Sequence, residues 1–419
     1  MNEQPHTAKE STQPRYILAL DGGGMRGIVP AVLIHQISEL LVSMGDERPF
    51  YSHFDLIAGT STGALLALTL TAPIERTRLQ IEDRGPSYIY APENPTFWQR
   101  LRKAKVEPTR IGTLPWGIDT ASLERLYRDH GRTIFPKSQS RIIGQIFVDK
   151  YDEAPLEQFL QETFGDIALS EAVVPTLIMS YDTEEGRPFS MISSDSHEFL
   201  FWEAARASSA APTFFKPAFL QDRTLGRQMT LIDGGVVANN PSLYAYIEAK
   251  RLYPRAQSYH ILSLSTASSD FSFKVGGAGT GVMGWIDPAK GAPIQKIYAT
   301  AQMQNVDQIA SAIPELTYTR IHTPLAEEYK LDETGASALN AMANEARAIF
   351  SLHKERIEAY AAHLAARTVF DQLTPLPIDA QRPRQAVLIP PPPEREMPAL
   401  SSLDSLLRRY QLSDTEEKP

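Results

Sequence analysis

The chain has 419 residues, 42% of them hydrophobic and 22% charged, enough to bury a large core as one big α/β domain or two ordinary ones. A formal charge of −9 argues against a nucleic-acid surface, because phosphate neutralisation needs clustered Lys and Arg. The absence of cysteine excludes disulfides, thiolate metal sites and cysteine nucleophiles, and fits a cytoplasmic protein.

Met1 to Pro14 is polar, lacks the apolar core of a signal peptide and reads as a disordered leader, residues 1–14. The run Tyr16-Ile17-Leu18-Ala19-Leu20 predicts a strand, followed by the turn Asp21-Gly22-Gly23-Gly24-Met25-Arg26-Gly27. Ile28 to Val42 carries Val29, Val32, Leu33, Ile37, Leu40 and Leu41 at helical spacing. A second run, Phe54 to Ala58, leads into Gly59-Thr60-Ser61-Thr62-Gly63 and then the apolar Ala64 to Leu70. That segment is too short to span a bilayer and reads as a buried helix, so action on lipid would come from the water side.

Residues 84–150, with Trp98, Trp116 and several prolines, are less regular and suit a lid or substrate channel. Further strands are expected at Val173 to Ser180, Met229 to Ile232 and Tyr259 to Leu264. Strands separated by helices favour a mainly parallel sheet covered on both faces. Gln302 to Arg367 reads as mostly helical, notably Ala338 to Arg367, closing a main domain over 15–370. Prolines mark 371–398 as an extended linker. Within 399–419, Leu400, Leu403, Leu406, Leu407 and Tyr410 repeat as a short amphipathic helix. It would dock on its own domain, or meet a membrane surface or partner.

The two glycine turns carry the chemistry. Gly59-Thr60-Ser61-Thr62-Gly63 is a G-x-S-x-G nucleophile elbow, a sharp strand-to-helix turn that exposes the Ser61 hydroxyl. Gly22 to Gly27 offers backbone N–H groups unobstructed by side chains, suited to a developing oxyanion. It also fits the dinucleotide pattern G-x-G-x-x-G, which wants an acidic residue about 20 positions on at the end of a second strand. Glu39 sits in the helical pattern and Asp46 in the polar turn after it, while the next strand delivers the serine elbow. A serine needs a base. His260 lies just inside a predicted strand and His197 in a polar stretch, both positions that suit structural histidines. Asp233, in Leu231-Ile232-Asp233-Gly234-Gly235, ends an apolar strand, and partial burial would raise its pKa toward working pH.

These motifs resemble the patatin-like phospholipase family over about Arg15 to Arg367. Asp21 to Gly27 resembles its oxyanion loop, Gly59 to Gly63 its elbow, and Asp233-Gly234-Gly235 the motif carrying the second member of a Ser–Asp dyad. Ala205 to Phe215 and Asn239-Asn240-Pro241 match as well. The resemblance implies a three-layer α/β/α fold with a mainly parallel sheet. It also implies hydrolysis of fatty acyl esters of phospholipids or related lipids, without histidine, metal or cofactor. Ser61 would attack, Asp233 would take its proton, and N–H groups of the 22–27 loop would hold the oxyanion. Arg26 would steady that loop or meet a lipid phosphate. Peripheral membrane contact follows, and a similarity to bacterial relatives adds activation by a cyclic nucleotide. Acyl transfer to another acceptor, or lipid storage with incidental esterase activity, are the alternatives. One departure stands out: where many relatives have Gly-Thr-Gly after the strand ending at Leu264, this chain has Ser265-Thr266-Ala267, and Gly279-Thr280-Gly281 comes later.

Overall fold

Near-continuous apolar strands must be covered on both faces, and here they are. The computed structural model describes residues 13–74, 77, 88–90, 110–114, 117–135, 150–195, 198–224, 226–269, 285 and 293–367. The expected leader, linker and terminal helix lie almost wholly outside these residues, as do Trp98, Trp116, His197 and Gly279 to Gly281.

The strands of the main sheet are β1 (Arg15–Leu20), β2 (Leu56–Thr60), β5 (Thr176–Asp182), β6 (Arg187–Ile192), β7 (Ala218–Asp222), β8 (Arg227–Asp233), β9 (Tyr259–Leu264) and β10 (Leu316–Ile321). Two short strands, β3 (Tyr88–Tyr90) and β4 (Arg110–Thr113), form a separate antiparallel pair. The helices are α1 (Ile28–Ser43), α2 (Thr62–Thr71), α3 (Ala121–Ile134), α4 (Ala154–Phe164), α5 (Phe201–Ser208), α6 (Gly235–Ala238), α7 (Ser242–Leu252), α8 (Pro293–Ala312), α9 (Ala336–Leu352) and α10 (Lys354–Ala365).

The sheet is mixed but mostly parallel around the glycine turns. In order β10-β9-β1-β2-β5 every pairing is parallel, whereas β6 and β8 meet β5, and β7 meets β8, antiparallel. Successive residues of a strand serve opposite cores, as the two-residue period requires. Leu18, Leu20, Ile57, Ile178 and Leu264 join a core with residues of α1, α2, α9 and α10. Ile17, Ala19, Leu56, Ala58 and Met179 join the other, with Ala245 and Ala249 of α7 and Ala310 of α8. The three-layer α/β/α expectation holds. The stretch Gly24–Ser43 is long and apolar enough to cross a membrane, yet it is mostly buried as a core helix.

The expected strands are present with small shifts of their ends, and Tyr259–Leu264 matches fully. The helical reading of Gln302 to Arg367 needs correcting. Leu316–Ile321 is the edge strand β10, in register with β9, and the terminal helix breaks at His353 into α9 and α10. The run Leu-Thr-Tyr-Thr-Arg-Ile is short and buried only at Leu316, Arg320 and Ile321, and the longer helical patterns on either side obscure it.

Candidate active site

One edge of β5 brings the two sequence motifs together. β6 occupies the other edge along Leu177 to Asp182, so β2 and β8 must share this one. β2 runs parallel along its first half and ends with Thr60 opposite Met179. β8 runs antiparallel along its second half and ends with Asp233 opposite Ser180. The carboxyl ends of β2 and β8 therefore meet head to head, at adjacent register positions. Residues 172 positions apart in sequence become neighbours because two strands of opposite direction share one edge.

Ser61 is the pivot between β2 and α2, with φ 53 and ψ −120. A non-glycine residue at such angles costs about 1–3 kcal/mol and persists only where its surroundings enforce it. Here they do. A Cβ on Gly59 would stand 2.2 Å from the Gly63 carbonyl oxygen, and one on Gly63 would stand 2.2 Å from that of Leu20. Both flanking glycines are thus required by backbone contact. Thr60 Oγ1 donates to the Ala238 carbonyl at 2.6 Å, tying the strand end to α6 just beyond Asp233. Thr62 Oγ1 and the Tyr127 hydroxyl are 2.7 Å apart.

The Ser61 side chain acts on the Asp233 carboxylate, whose Oδ1 accepts the Gly235 N–H at 2.7 Å. Asp233 is buried, and that burial pushes its pKa up to about 6 against the opposing pull of the Ser61 side chain and the Gly235 N–H. A carboxylate in that range can accept a proton near neutral pH. Gly234 is also forced, because a Cβ there would lie 2.5 Å from the Met179 carbonyl oxygen.

His260 stands at the opposite end of the sheet. It is the second residue of β9, in register with Tyr16, and its ring stacks on Tyr16 at 4.9 Å between centroids. Its Nε2 lies 3.0 Å from Ser258 Oγ, and burial lowers its pKa. Asp46 is held by Arg48 at 2.6 Å and His53 at 2.9 Å, and Glu39 lies within α1, so neither supplies the ribose-binding carboxylate of a dinucleotide site.

The 22–27 loop is not uniformly available. Gly22 N–H donates to the Asn239 carbonyl at 3.0 Å, Met25 N–H to that of Leu331 at 2.7 Å, and Arg26 N–H to that of Gly23 at 3.3 Å. The Gly22 carbonyl accepts from Thr266 Oγ1 at 2.8 Å and Asn239 Nδ2 at 3.2 Å. Because a trans peptide directs its C=O and N–H oppositely, anchoring the Gly22 carbonyl inward turns the Gly23 N–H outward. The Gly23 and Gly24 N–H groups have no acceptor among the described residues, and a Cβ on Gly22 would lie 3.3 Å from that of Ser61. The N–H groups of Gly22, Met25 and Arg26 are thus committed, and those of Gly23 and Gly24 stay open. Among the described residues Arg26 makes no hydrogen bond to the loop: its Nε is buried without a partner, and Glu328 is the charge that acts on it.

Bracing comes from residues to which the sequence attached no role. Leu331 precedes Asp332, which accepts from Lys150 Nζ and from the Tyr151 hydroxyl at 2.6 Å. At the root of the loop, buried Asp21 pairs with Arg320 through two bonds of 2.8 and 2.6 Å, and Arg320 also donates to Ser263 Oγ at 2.8 Å. A buried carboxylate needs such a partner.

Ser265-Thr266-Ala267, where the chain departs from many relatives, takes part in holding the glycine loop. Thr266 supplies the bond to Gly22, and Ala267 adopts φ 54, a left-handed conformation that glycine takes without strain. Replacing Ala267 with Gly deletes a buried methyl and loosens the unfolded chain, together about 1–2 kcal/mol. Relief of about 1–2 kcal/mol of left-handed strain offsets this. Ala267→Gly should therefore stay within about 1 kcal/mol of the parent in denaturant unfolding; a loss well above that would mean the residue is unstrained.

Comparison with known proteins agrees with the geometry. The family model for patatin-like phospholipase matches residues 18–246. Patatin-like protein 2 of Arabidopsis thaliana is 30% identical over 73% of this chain and 74% of its own. Patatin-like protein 2 of Oryza sativa subsp. indica is 28% identical over 70% and 71%, and Patatin-17 of Solanum cardiophyllum 28% over 56% and 53%. With more than half its length matched, and with the elbow and the glycine loop inside the match, this chain belongs to the patatin-like phospholipase family.

Proposed function

We propose that the chain is a lipid acyl hydrolase that cleaves fatty acyl esters of membrane phospholipids through Ser61 and Asp233. The observation that carries this reading is the meeting of the β2 and β8 ends at adjacent register positions on β5, which sets Ser61 beside a buried carboxylate whose pKa is about 6. Ser61 Oγ attacks the ester carbonyl carbon as Asp233 takes its proton. The tetrahedral oxyanion rests on the Gly23 and Gly24 N–H groups. Collapse expels the lysolipid alcohol, which recovers the proton from Asp233, and leaves an ester between the acyl group and Ser61. Water then attacks that ester, its proton passing to Asp233 and on to Ser61 as the fatty acid departs. No step draws on a metal or an organic cofactor. Ser61 directly precedes α2, whose N-terminal dipole favours negative charge beside the serine oxygen.

The same reading places the reaction at a membrane surface approached from the cytoplasm, with cyclic nucleotide activation as its regulatory extension. Phosphatidylcholine vesicles incubated with the enzyme in chelator should yield free fatty acid and lysolipid in equal amounts by mass spectrometry. Acyl chains recovered on an added alcohol or lysolipid, with little free acid, would make it a transferase instead. Vesicles left intact while Ser61 is acylated by a soluble ester would remove phospholipid as substrate. Titrating cyclic dinucleotides into this assay tests the extension, which a flat response across the panel sinks.

A further inference from the structure

We propose that Ser208 is a positioning residue that holds the Ser61 elbow in register with Asp233, and that Ser208 to Ala210 grips both members of the dyad. This rests on the Ser–Asp reading above. Ser208 closes α5 and is fully buried. Its hydroxyl lies 2.8 Å from the Ser61 backbone nitrogen and 2.6 Å from the Met179 carbonyl oxygen. The roles in this pair are fixed by chemistry: an N–H only donates and a carbonyl only accepts. The Ser208 proton therefore points at Met179, and an oxygen lone pair faces Ser61.

Met179 is the β5 residue opposite Thr60, and its carbonyl also lies under Gly234, so one hydroxyl joins the strand beneath the dyad to the nucleophile itself. Two residues on, the Ala210 carbonyl accepts the Asp233 N–H at 3.0 Å. A three-residue segment thus fixes the backbone of Ser61 through a side chain and that of Asp233 through a carbonyl. Ser61 has need of such a tether, because its φ of 53 stores strain that a relaxed turn would release. With its own N–H committed to Ser208, Ser61 also leaves oxyanion binding to the glycine loop.

Removing the Ser208 hydroxyl leaves the Ser61 N–H without its partner and lets the elbow relax away from Asp233. Misplacement of a reacting group by a fraction of an ångström to an ångström costs about 100-fold in rate. On a soluble aryl ester, Ser208→Ala should lower kcat by about 10- to 100-fold with KM within about twofold. Its acid limb in kcat against pH should also move upward, because a Ser61 side chain that has drifted from Asp233 no longer holds the Asp233 pKa down. Thr71→Val is the matched control: it removes another buried hydroxyl, bonded to Ala67 at 2.9 Å, from the last residue of α2, the end away from Ser61. It should match the fall in melting temperature yet leave kcat and the acid limb unmoved. Should Ser208→Ala not fold, Ser208→Cys keeps the volume with a weak acceptor and should show the same kcat loss. Parent-like kcat and acid limb in a folded Ser208 variant overturn the proposal. Full activity in Ser61→Ala or Asp233→Asn would instead remove the dyad on which it rests.

Discussion

Ser61→Ala and Asp233→Asn should each lower turnover of a short-chain aryl ester by about a thousandfold or more, the usual cost of losing one member of a cooperating catalytic unit. The double variant should fall little further, because either loss alone disables the same proton transfer. His260→Ala should keep its activity, since that ring stacks on Tyr16 at the other end of the sheet. In the parent, kcat/KM should drop below an apparent pKa near 6 with a slope of one, as protonation removes the base.

Asp233→Asn has a second expected consequence, of opposite sign. The Asp233 pKa is about 6 in the folded chain against an ordinary 3.8, so the native state holds this proton more tightly than the unfolded chain. Its stabilising contribution is complete below pH 3.8 and lost as pH rises through 6. At pH 8 the parent carries an ionised, buried carboxylate at a cost of order 2–3 kcal/mol that asparagine does not incur. The stability difference between variant and parent should therefore grow in favour of Asn from pH 4 to pH 8. Denaturant unfolding at the two pH values reads this directly. A difference independent of pH, together with unchanged turnover, would show that Asp233 is an ordinary turn carboxylate.

The parts of this site legible in the sequence are those whose chemistry is local. A nucleophile elbow needs glycines two residues either side of its serine, and Gly59 and Gly63 mark it because Cβ atoms there would strike backbone carbonyls. Asp233 is legible as a polar residue closing an apolar strand before two glycines. What holds these pieces in place is not local. Ser61 reaches Ser208 across 147 positions, Gly22 reaches Asn239 across 217, and Asp21 reaches Arg320 across 299. No periodicity records such a pairing, since each partner sits in an element with its own reason to form. Ser208 and Asn239 did fall within stretches matching the family, but a match gives a residue no task until its partner is known. β10 shows the same limit at the level of the fold. As an edge strand it is buried at its two ends and open between them, and it brings the Arg320 that neutralises Asp21.

Gly24 offers the sharpest test of the narrowed oxyanion loop. It has φ +58, and a Cβ added to it would stand 2.2 Å from the Leu331 carbonyl oxygen, the acceptor that holds the Met25 N–H. Backbone against backbone leaves no flexible atom to yield, so Gly24→Ala must shift the loop. The expected result is a fall in kcat of about 100- to 1000-fold, the cost of one lost oxyanion donor, with little change in KM. Left-handed strain and the weakened Met25 bond add about 2–3 kcal/mol of destabilisation. Gly45 separates the two effects. It too has positive φ, +85, but a Cβ there meets nothing within 4 Å. Gly45→Ala should lose about 1–2 kcal/mol through backbone strain alone and retain full turnover. If Gly24→Ala folds and works within about threefold of the parent, its N–H does not hold the oxyanion. The donors would then have to be sought at the start of α2, where the residue after Ser61 presents the first N–H of the helix.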